Sequence, residues 1–394
     1  MTTLDLAPLP VVDVHCHPFL NKGAVTAEQF TDLTAFGGGS RAYMEEGGVD
    51  FTDEVRAELQ RIKRDTMYFR RMVRDLAGFF GTAPELEVVL AARNAAVAEG
   101  YTEYVRRLYA AAGITGLVFD FGVPLPMLDV AAVKAELPVE VVPIVRIEPL
   151  IADLLKTDAG WAEFQRRYDD AIADALTTRG YRGIKSIIAY RTGLDVSPLS
   201  RTPDQGAKAL DAIRRGLGGG SMKLLRDHLL CRALELAMEH DVPMQIHTGM
   251  GDFEVNLVYC RPAYLMDLLR APAFRACRVI LVHGGYPYAR EAAYMANVLP
   301  RVYCDVSEGI PFAGHAARDI FSQVLTMAPV SKVVYGSDGY ALPEINYTSA
   351  KLGKQALAQA LEALVSDGFI GENEAPEIAG MILAGTAREL YRIV

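Results

Sequence analysis

The sequence predicts an α/β fold: a distorted (β/α)8, or TIM-type, barrel with a helical insertion after the first strand. Three observations carry this expectation. Eight short runs rich in Val and Ile are continuously apolar, as parallel strands covered on both faces must be. Most of the intervals between them show a helical pattern, which gives the β-α alternation of a barrel. Side chains capable of chemistry fall at the C-terminal ends of the runs, where this fold gathers its sites.

The runs are Val11–His17, Ile114–Gly122, Val139–Glu148, Gly183–Tyr190, Val242–Gly249, Cys277–Gly284, Arg301–Gly309 and Lys332–Tyr340. Helices are expected at Trp161–Thr178, Lys223–His240, Arg261–Ala271 and Ala289–Val298. Two intervals exceed one crossover. Pro18–Gly113, with helical stretches Asp53–Phe80 and Glu85–Ala112, reads as an insertion leaving the barrel mouth, part of which is expected to wall the site. Arg191–Met222 holds Ser-Pro, Thr-Pro and the run Gly216-Leu217-Gly218-Gly219-Gly220, and reads as a mobile loop that shares that wall. The glycine run lacks phosphate-loop spacing. Ala356–Val394 reads as helices closing the barrel, so residues 1–394 form one domain with an insertion at about 20–113.

Composition narrows the function. The chain has 394 residues, is 51% hydrophobic and 23% charged, and so can bury a large core. Its net charge of −9 argues against nucleic acid and anionic membranes as partners. No signal peptide or apolar run of about 18 residues is evident. The five cysteines form no CxxC pair and their number is odd, which fits a reducing cytoplasm. The expected partner is a small molecule, with a homo-oligomer left open.

Four of the seven histidines end strands. His15 and His17 end the first as His-Cys-His; with a period of two, both rings share one face, their Cα atoms about 7 Å apart. His247 ends the fifth strand, His283 the sixth, and Asp338 the eighth. A lone strand histidine is more often a satisfied polar group than a ligand. Five such groups converging on one barrel mouth suit a divalent ion with an open position for water. His228, His240 and His315 fall on helices or loops and are assigned to surface or packing, as is Cys16, which points to the opposite face from its neighbours. Arg146, Tyr190, Arg191 and Glu308 end strands three, four and seven, and are candidate substrate-binding groups. Two arginines at the mouth suggest a carboxylate-bearing substrate, against the alternative of structural ion pairs.

The succession VDVHCHP, IHTG, LVHGGYP and YGSDG, closed by GTARELY, resembles the amidohydrolase superfamily. GIKSIIAYRTGL and YCDVSEGIPF narrow the resemblance to amidohydrolase family 2, in the module found alone or fused to glutamine-synthetase-like domains. The resemblance runs from about Val11 to Tyr391 and is weakest in the insertion. It implies that His15, His17, His247 and Asp338 bind metal, and that Asp338 shuttles the proton of the attacking water. His283 is implied as a second-site ligand, or as a base that polarises the substrate carbonyl. Binuclear members carry a carboxylated lysine on strand four. Lys185 stands there, but early in the strand, and remains open between carbamate ligand, low-pKa amine and ion-pair partner.

The implied cofactor is one or two divalent ions, Zn²⁺ favoured over Mn or Fe. The implied activity is hydrolysis of a C–N bond, that of an amide. The alternatives are a non-oxidative decarboxylase of the same branch and a non-catalytic metal-stabilised binding module.

Overall fold

The computed structural model describes residues 4–37, 40–218 and 220–394. Gly38 and Gly39 of the insertion and Gly219 of the glycine run lie outside the described residues.

Eight parallel strands follow one another around the sheet in sequence order. They are β1 Val11–Cys16, β2 Ile114–Asp120, β3 Glu140–Arg146, β4 Ile184–Ser186, β5 Met244–His247, β6 Val279–Val282, β7 Val302–Asp305 and β8 Val333–Val334. The ring is completed beyond β8 by irregular backbone. Val14 N–H donates to Tyr335 O at 3.0 Å, Asp338 N–H to His15 O at 2.8 Å and His17 N–H to Gly339 O at 2.7 Å. The expected barrel is therefore present, with an uneven seam.

Its interior is filled by Val12, Val14, Val118, Val142, Ile144, Ile280 and Val334. The same cluster takes in Ala387, Leu390 and Tyr391 from the helix Thr386–Tyr391, which plugs the end away from the site. Tyr391 Oη accepts from Gln245 Nε2 at 2.7 Å, so the closing segment anticipated from the sequence is tied to β5 from below.

All eight strands stop short of their expected C-terminal ends. The backbone bends there to aim side chains inward: Ile188–Tyr190 forms a 3₁₀ turn, and His283, Glu308 and Asp338 have φ of 69°, 57° and 58°. Alternation along the fourth strand therefore ends at Ser186, and Tyr190 and Arg191 belong to the following turn.

The insertion is helical as expected, at Ala27–Thr34, Ser40–Glu46, Asp53–Arg64, Met67–Phe80 and Leu86–Ala112. The stretch read as Asp53–Phe80 divides where the Thr66 side chain accepts from Phe69 N–H and caps a new helix. The interval expected to be a loop, Arg191–Met222, instead contains the helix Pro203–Arg214, opened by Pro at its first turn and burying Ala209 and Leu210. No helix among the described residues is long and apolar enough to cross a membrane. All five cysteines are buried and free.

Candidate metal centre

The strand ends surround a cavity of about 430 Å³ lined by His15, His17, Lys185, His247, His283, Glu308 and Asp338, among others. Two sets of ligand atoms face it: His15, His17 and Asp338, and His247, His283 and Glu308, each set with its atoms within 4.8 Å of one another.

The first set spans the barrel seam. Asp338 Oδ1 lies 3.1 Å from His15 Nε2 and 3.2 Å from His17 Nε2. Burial works to raise the Asp338 carboxyl, but hydrogen bonds from His15 and His17 outweigh it and hold the group well below its usual range. The backbone around it is fixed by Asp13, whose carboxylate accepts from Ser337 N–H at 2.9 Å, from Ser337 Oγ and from Asn346 Nδ2 at 3.0 Å. Burial pushes the Asp13 carboxyl up to about 6.

The second set hangs on β5, β6 and the turn after β7. The Met250 carbonyl can only accept, so at 2.8 Å it fixes the hydrogen of His247 on Nε2 and leaves Nδ1 as a lone pair. That lone pair faces His283 Nε2 at 2.9 Å. On its far side His283 Nδ1 meets Ser307 Oγ at 3.0 Å and Glu308 Oε2 at 3.4 Å. With Glu308 neutral, His283 Nε2 can donate to His247; an ionised Glu308 would draw the hydrogen to Nδ1 and leave two facing lone pairs, which a cation would relieve.

The acids give the same indication. Burial, and then the charges of Asp338 and Asp252, drive the Glu308 carboxyl well up. Burial also pushes Asp305 up to about 7. Glu308 Oε2 and His15 Nδ1 are buried without a hydrogen-bond partner. A divalent ion at the second set would give the Glu308 carboxylate the positive partner it lacks.

Lys185 is fully buried, with Nζ 3.2 Å from His15 Nε2. Burial is the largest influence and brings it down to about 8, against the charges of Asp120, Asp338 and Asp305.

The candidate substrate groups divide. Arg146 lines the cavity, but its Nε and Nη2 lie 2.8 and 2.5 Å from Asp120 Oδ2, so its fork is already engaged. Tyr190 packs at 4.6 Å between ring centroids on His247, and its Oη accepts from Asp252 N–H at 2.9 Å. Arg191 lines the cavity and makes no ion pair with a described residue. Glu308, expected to meet substrate, sits instead with the histidines of the second set.

Cys16 is buried with Sγ toward Val118 O, in keeping with packing. His228 is likewise packed, with Nδ1 2.8 Å from Ser200 O.

Of the expected walls, the insertion reaches the cavity through Phe36, and Tyr340 Oη donates to Ala35 O at 2.9 Å. The described residues of the glycine run do not line it. Sequence reasoning missed Asp120, Asp252, Glu254 and Tyr340. Asp120 ends β2, and the strand-end rule applied there would have found it. The others sit on loops with no periodic signal.

The model of a family described as Amidohydrolase matches residues 12–393. Protein fluG of Emericella nidulans is 30% identical over 260 residues, which cover 61% of this chain and 29% of fluG. The chain thus spans about three tenths of the length of that curated relative. A Lactobacillus casei crystal structure, itself described as a metal-dependent hydrolase by inference, superposes with a TM-score of 0.82 at 24% identity over 98% of this chain and 96% of that one. Glucuronate isomerase from Caulobacter crescentus gives 0.70 at 17%, over 98% and 92%. These two likenesses show the fold. The family match spans the barrel from β1 to the closing helix and takes in both sets of ligand atoms, and the chain belongs to the amidohydrolase family.

Proposed function

We propose that the chain is a metal-dependent enzyme that hydrolyses the C–N bond of an amide in a small, carboxylate-bearing substrate. One observation carries the reading: two facing sets of ligand atoms, His15/His17/Asp338 and His247/His283/Glu308, converge on the floor of one cavity. His15, His17 and Asp338 would hold one ion, and His247, His283 and Glu308 would hold a second. Bound there, a divalent ion such as Zn²⁺ supplies Lewis-acid polarisation of the carbonyl and makes water acidic enough to react near neutral pH.

The protein's own groups do the rest. Asp338, kept ionised by its histidine partners, accepts a proton from the attacking water and delivers it to the leaving nitrogen as the C–N bond breaks and the C–O bond forms. The ring of His283, oriented by Ser307 and Glu308, turns Nε2 toward the cavity. Lys185 balances the surrounding acids as an ammonium; carboxylated, it would add a bridging carboxylate between the two sets. Phe36 and Tyr340 cover the reacting region and exclude water.

The test pairs metal analysis of purified protein with an amide panel assayed for ammonia or amine. Stoichiometric metal and amine release are expected. CO₂ without amine would move the assignment to a decarboxylase, and failure to take up Zn²⁺, Mn²⁺ or Fe²⁺ would overturn the metal centre itself.

A further inference from the structure

The pair Asp120–Arg146 stands beside the first ligand set. Asp120 ends β2 and Arg146 ends β3. Arg146 lies in register with Lys185 on β4, and Lys185 Nζ is 3.2 Å from His15 Nε2. On the other side, the Asp120 carbonyl oxygen is 3.4 Å from His17 Nδ1. The guanidinium is therefore flanked by groups that meet both histidines of β1.

The ion pair uses only one edge of that guanidinium. The planar fork can hold an anion between Nε and Nη2, or between Nη1 and Nη2. Asp120 takes the first edge: its Oδ2 accepts from Nε at 2.8 Å and from Nη2 at 2.5 Å, while its Oδ1 accepts from Gly122 N–H at 2.9 Å. Nη1 and its two hydrogens donate to no described residue and are not sealed from solvent. The side chain is only 11% exposed and lines the cavity, so the open edge is what it presents there. Gly122 makes the room for this pose. A Cβ at that position would stand 2.3 Å from Arg146 Cδ and 2.6 Å from Nε. Burial works against the Arg146 charge, but the charge and hydrogen bonds of Asp120 outweigh it and raise the group above its ordinary range.

A buried ion pair alone is weak evidence of function. This one leaves two parallel donors on the wall of the cavity that both ligand sets face. It also fixes them before any ligand arrives, so little side-chain freedom is lost on binding. Two parallel N–H groups match the two oxygens of a carboxylate. Asp120 already offsets the charge of Arg146, which favours a monoanion over a dianion such as phosphate. A neutral amide would bring a single acceptor to the same edge.

We infer that the open Nη1–Nη2 edge of Arg146 receives the carboxylate of the substrate, that Asp120 is the positioning residue that aims it, and that position 122 is glycine to leave it room. The carboxylate then lies beside the His15/His17/Asp338 set, with the bond to be broken turned toward the ligand atoms; that last clause rests on the amide-hydrolase reading.

The experiment is calorimetric titration of the purified protein, supplied with Zn²⁺, with succinate, glutarate and adipate. Butyrate, pentanoate and hexanoate, in which a methyl replaces one carboxylate, serve as comparisons. A diacid places one carboxylate on an ion and the other on Arg146, so at least one should bind about tenfold or more tighter than its monoacid. Arg146→Lys, a point charge without the fork, should keep part of that ratio. Asp120→Asn should lower the ratio while monoacid affinity stays the same, which loss of a merely structural contact would not do. Arg146→Gln alone strands a buried carboxylate, so the double variant with Asp120→Asn, folded by circular dichroism, should bring the ratio to about one.

No diacid preference in the wild type, or a preference that survives in the double variant, would overturn the inference. Assays with succinamate and N-acetyl-β-alanine against the neutral butyramide separate it from the reading it rests on. Equal cleavage of acidic and neutral amides leaves hydrolysis standing and removes carboxylate recognition. Diacid preference with the expected variant pattern, but no cleavage of any amide, does the opposite.

Discussion

Glu344→Gln is expected to cost about 3–5 kcal/mol of folding stability, because it strands a buried guanidinium. Arg93 Nε lies 2.8 Å from Glu344 Oε1, and both side chains are 0% exposed. The same oxygen accepts from Tyr104 Oη at 2.8 Å, while Arg93 Nη1 donates to Gly23 O at 2.5 Å. The pair thus joins two parts of the insertion to the helix Pro343–Ser366, which follows Asp338 directly. Glutamine keeps the shape and can still accept, but Arg93 loses its only ion-pair partner among the described residues. On the surface such a loss would be worth at most about 1 kcal/mol; with both groups out of water the unpaired charge sets the scale. At about 2–4 °C per kcal/mol the melting temperature should fall by about 6–20 °C. Calorimetry and urea unfolding measure this. The double variant Arg93→Met with Glu344→Leu should recover much of the loss, since apolar groups of similar volume need no partner. A single-variant cost under about 1 kcal/mol, or a double variant as unstable as the two singles combined, would refute the reasoning.

Asp338→Asn should lower turnover of a confirmed substrate by about 10²–10⁴-fold, the usual range for a proton-transfer group, while circular dichroism shows the fold retained; turnover near the wild-type rate would remove Asp338 from the proton path. Chelation should lower the melting temperature, and readdition of Zn²⁺ at about 1,000 times its dissociation constant should restore about 4 kcal/mol; no response to metal would count against both ligand sets. Asp13 sits at about 6 in the fold against an ordinary 3.8, so the folded state binds that proton more tightly. Its contribution is present below about pH 4 and lost as pH rises through about 6. In metal-free protein, stability relative to Asp13→Asn should therefore fall by on the order of 2–3 kcal/mol between pH 4 and 7, and a parallel pair of pH profiles would show the assignment wrong.

The parts of the molecule that follow a period were legible in the sequence. Val118 and Val142 had to be buried on both faces, so their strands read as continuous apolar runs. His15 and His17 share a face because a strand repeats every two residues, and both reach Asp338 Oδ1 as that pattern implies. What escaped depends on contacts between segments far apart in the sequence. Arg146 and Arg191 looked alike as strand-end cations, yet one is neutralised by Asp120 at a sequence distance of 26 residues and the other is not. No local pattern distinguishes them. Asp252 is placed by Tyr190 and by the carbonyl of Tyr286, neither of which lies near it in sequence.

The seam of the barrel shows why the least regular place became the reactive one. β8 is only two residues long, and beyond it the backbone gives up the ladder. A regular strand would carry Asp338 onward with extended φ, and its carboxylate would alternate with its neighbours along the barrel wall. Instead Asp338 takes φ 58°, a conformation that costs of order 1 kcal/mol or more for a residue with a side chain. That cost is met by bonds the ladder does not use. Asp338 N–H reaches His15 O, and Gly339 N–H reaches Ser337 Oγ at 2.8 Å. Ser337 is in turn held by Asp13 on β1. The group that fixes Asp338 therefore stands on the same strand as the two histidines it faces. One strand supplies both imidazoles and the anchor for their carboxylate, so that the relative position of all three depends on a few hydrogen bonds across a single seam. Loss of Asp13 should accordingly disturb ligand geometry before it disturbs the barrel, whose interior is held by the apolar packing of Val118, Val142, Ile144 and Ile280 on other strands.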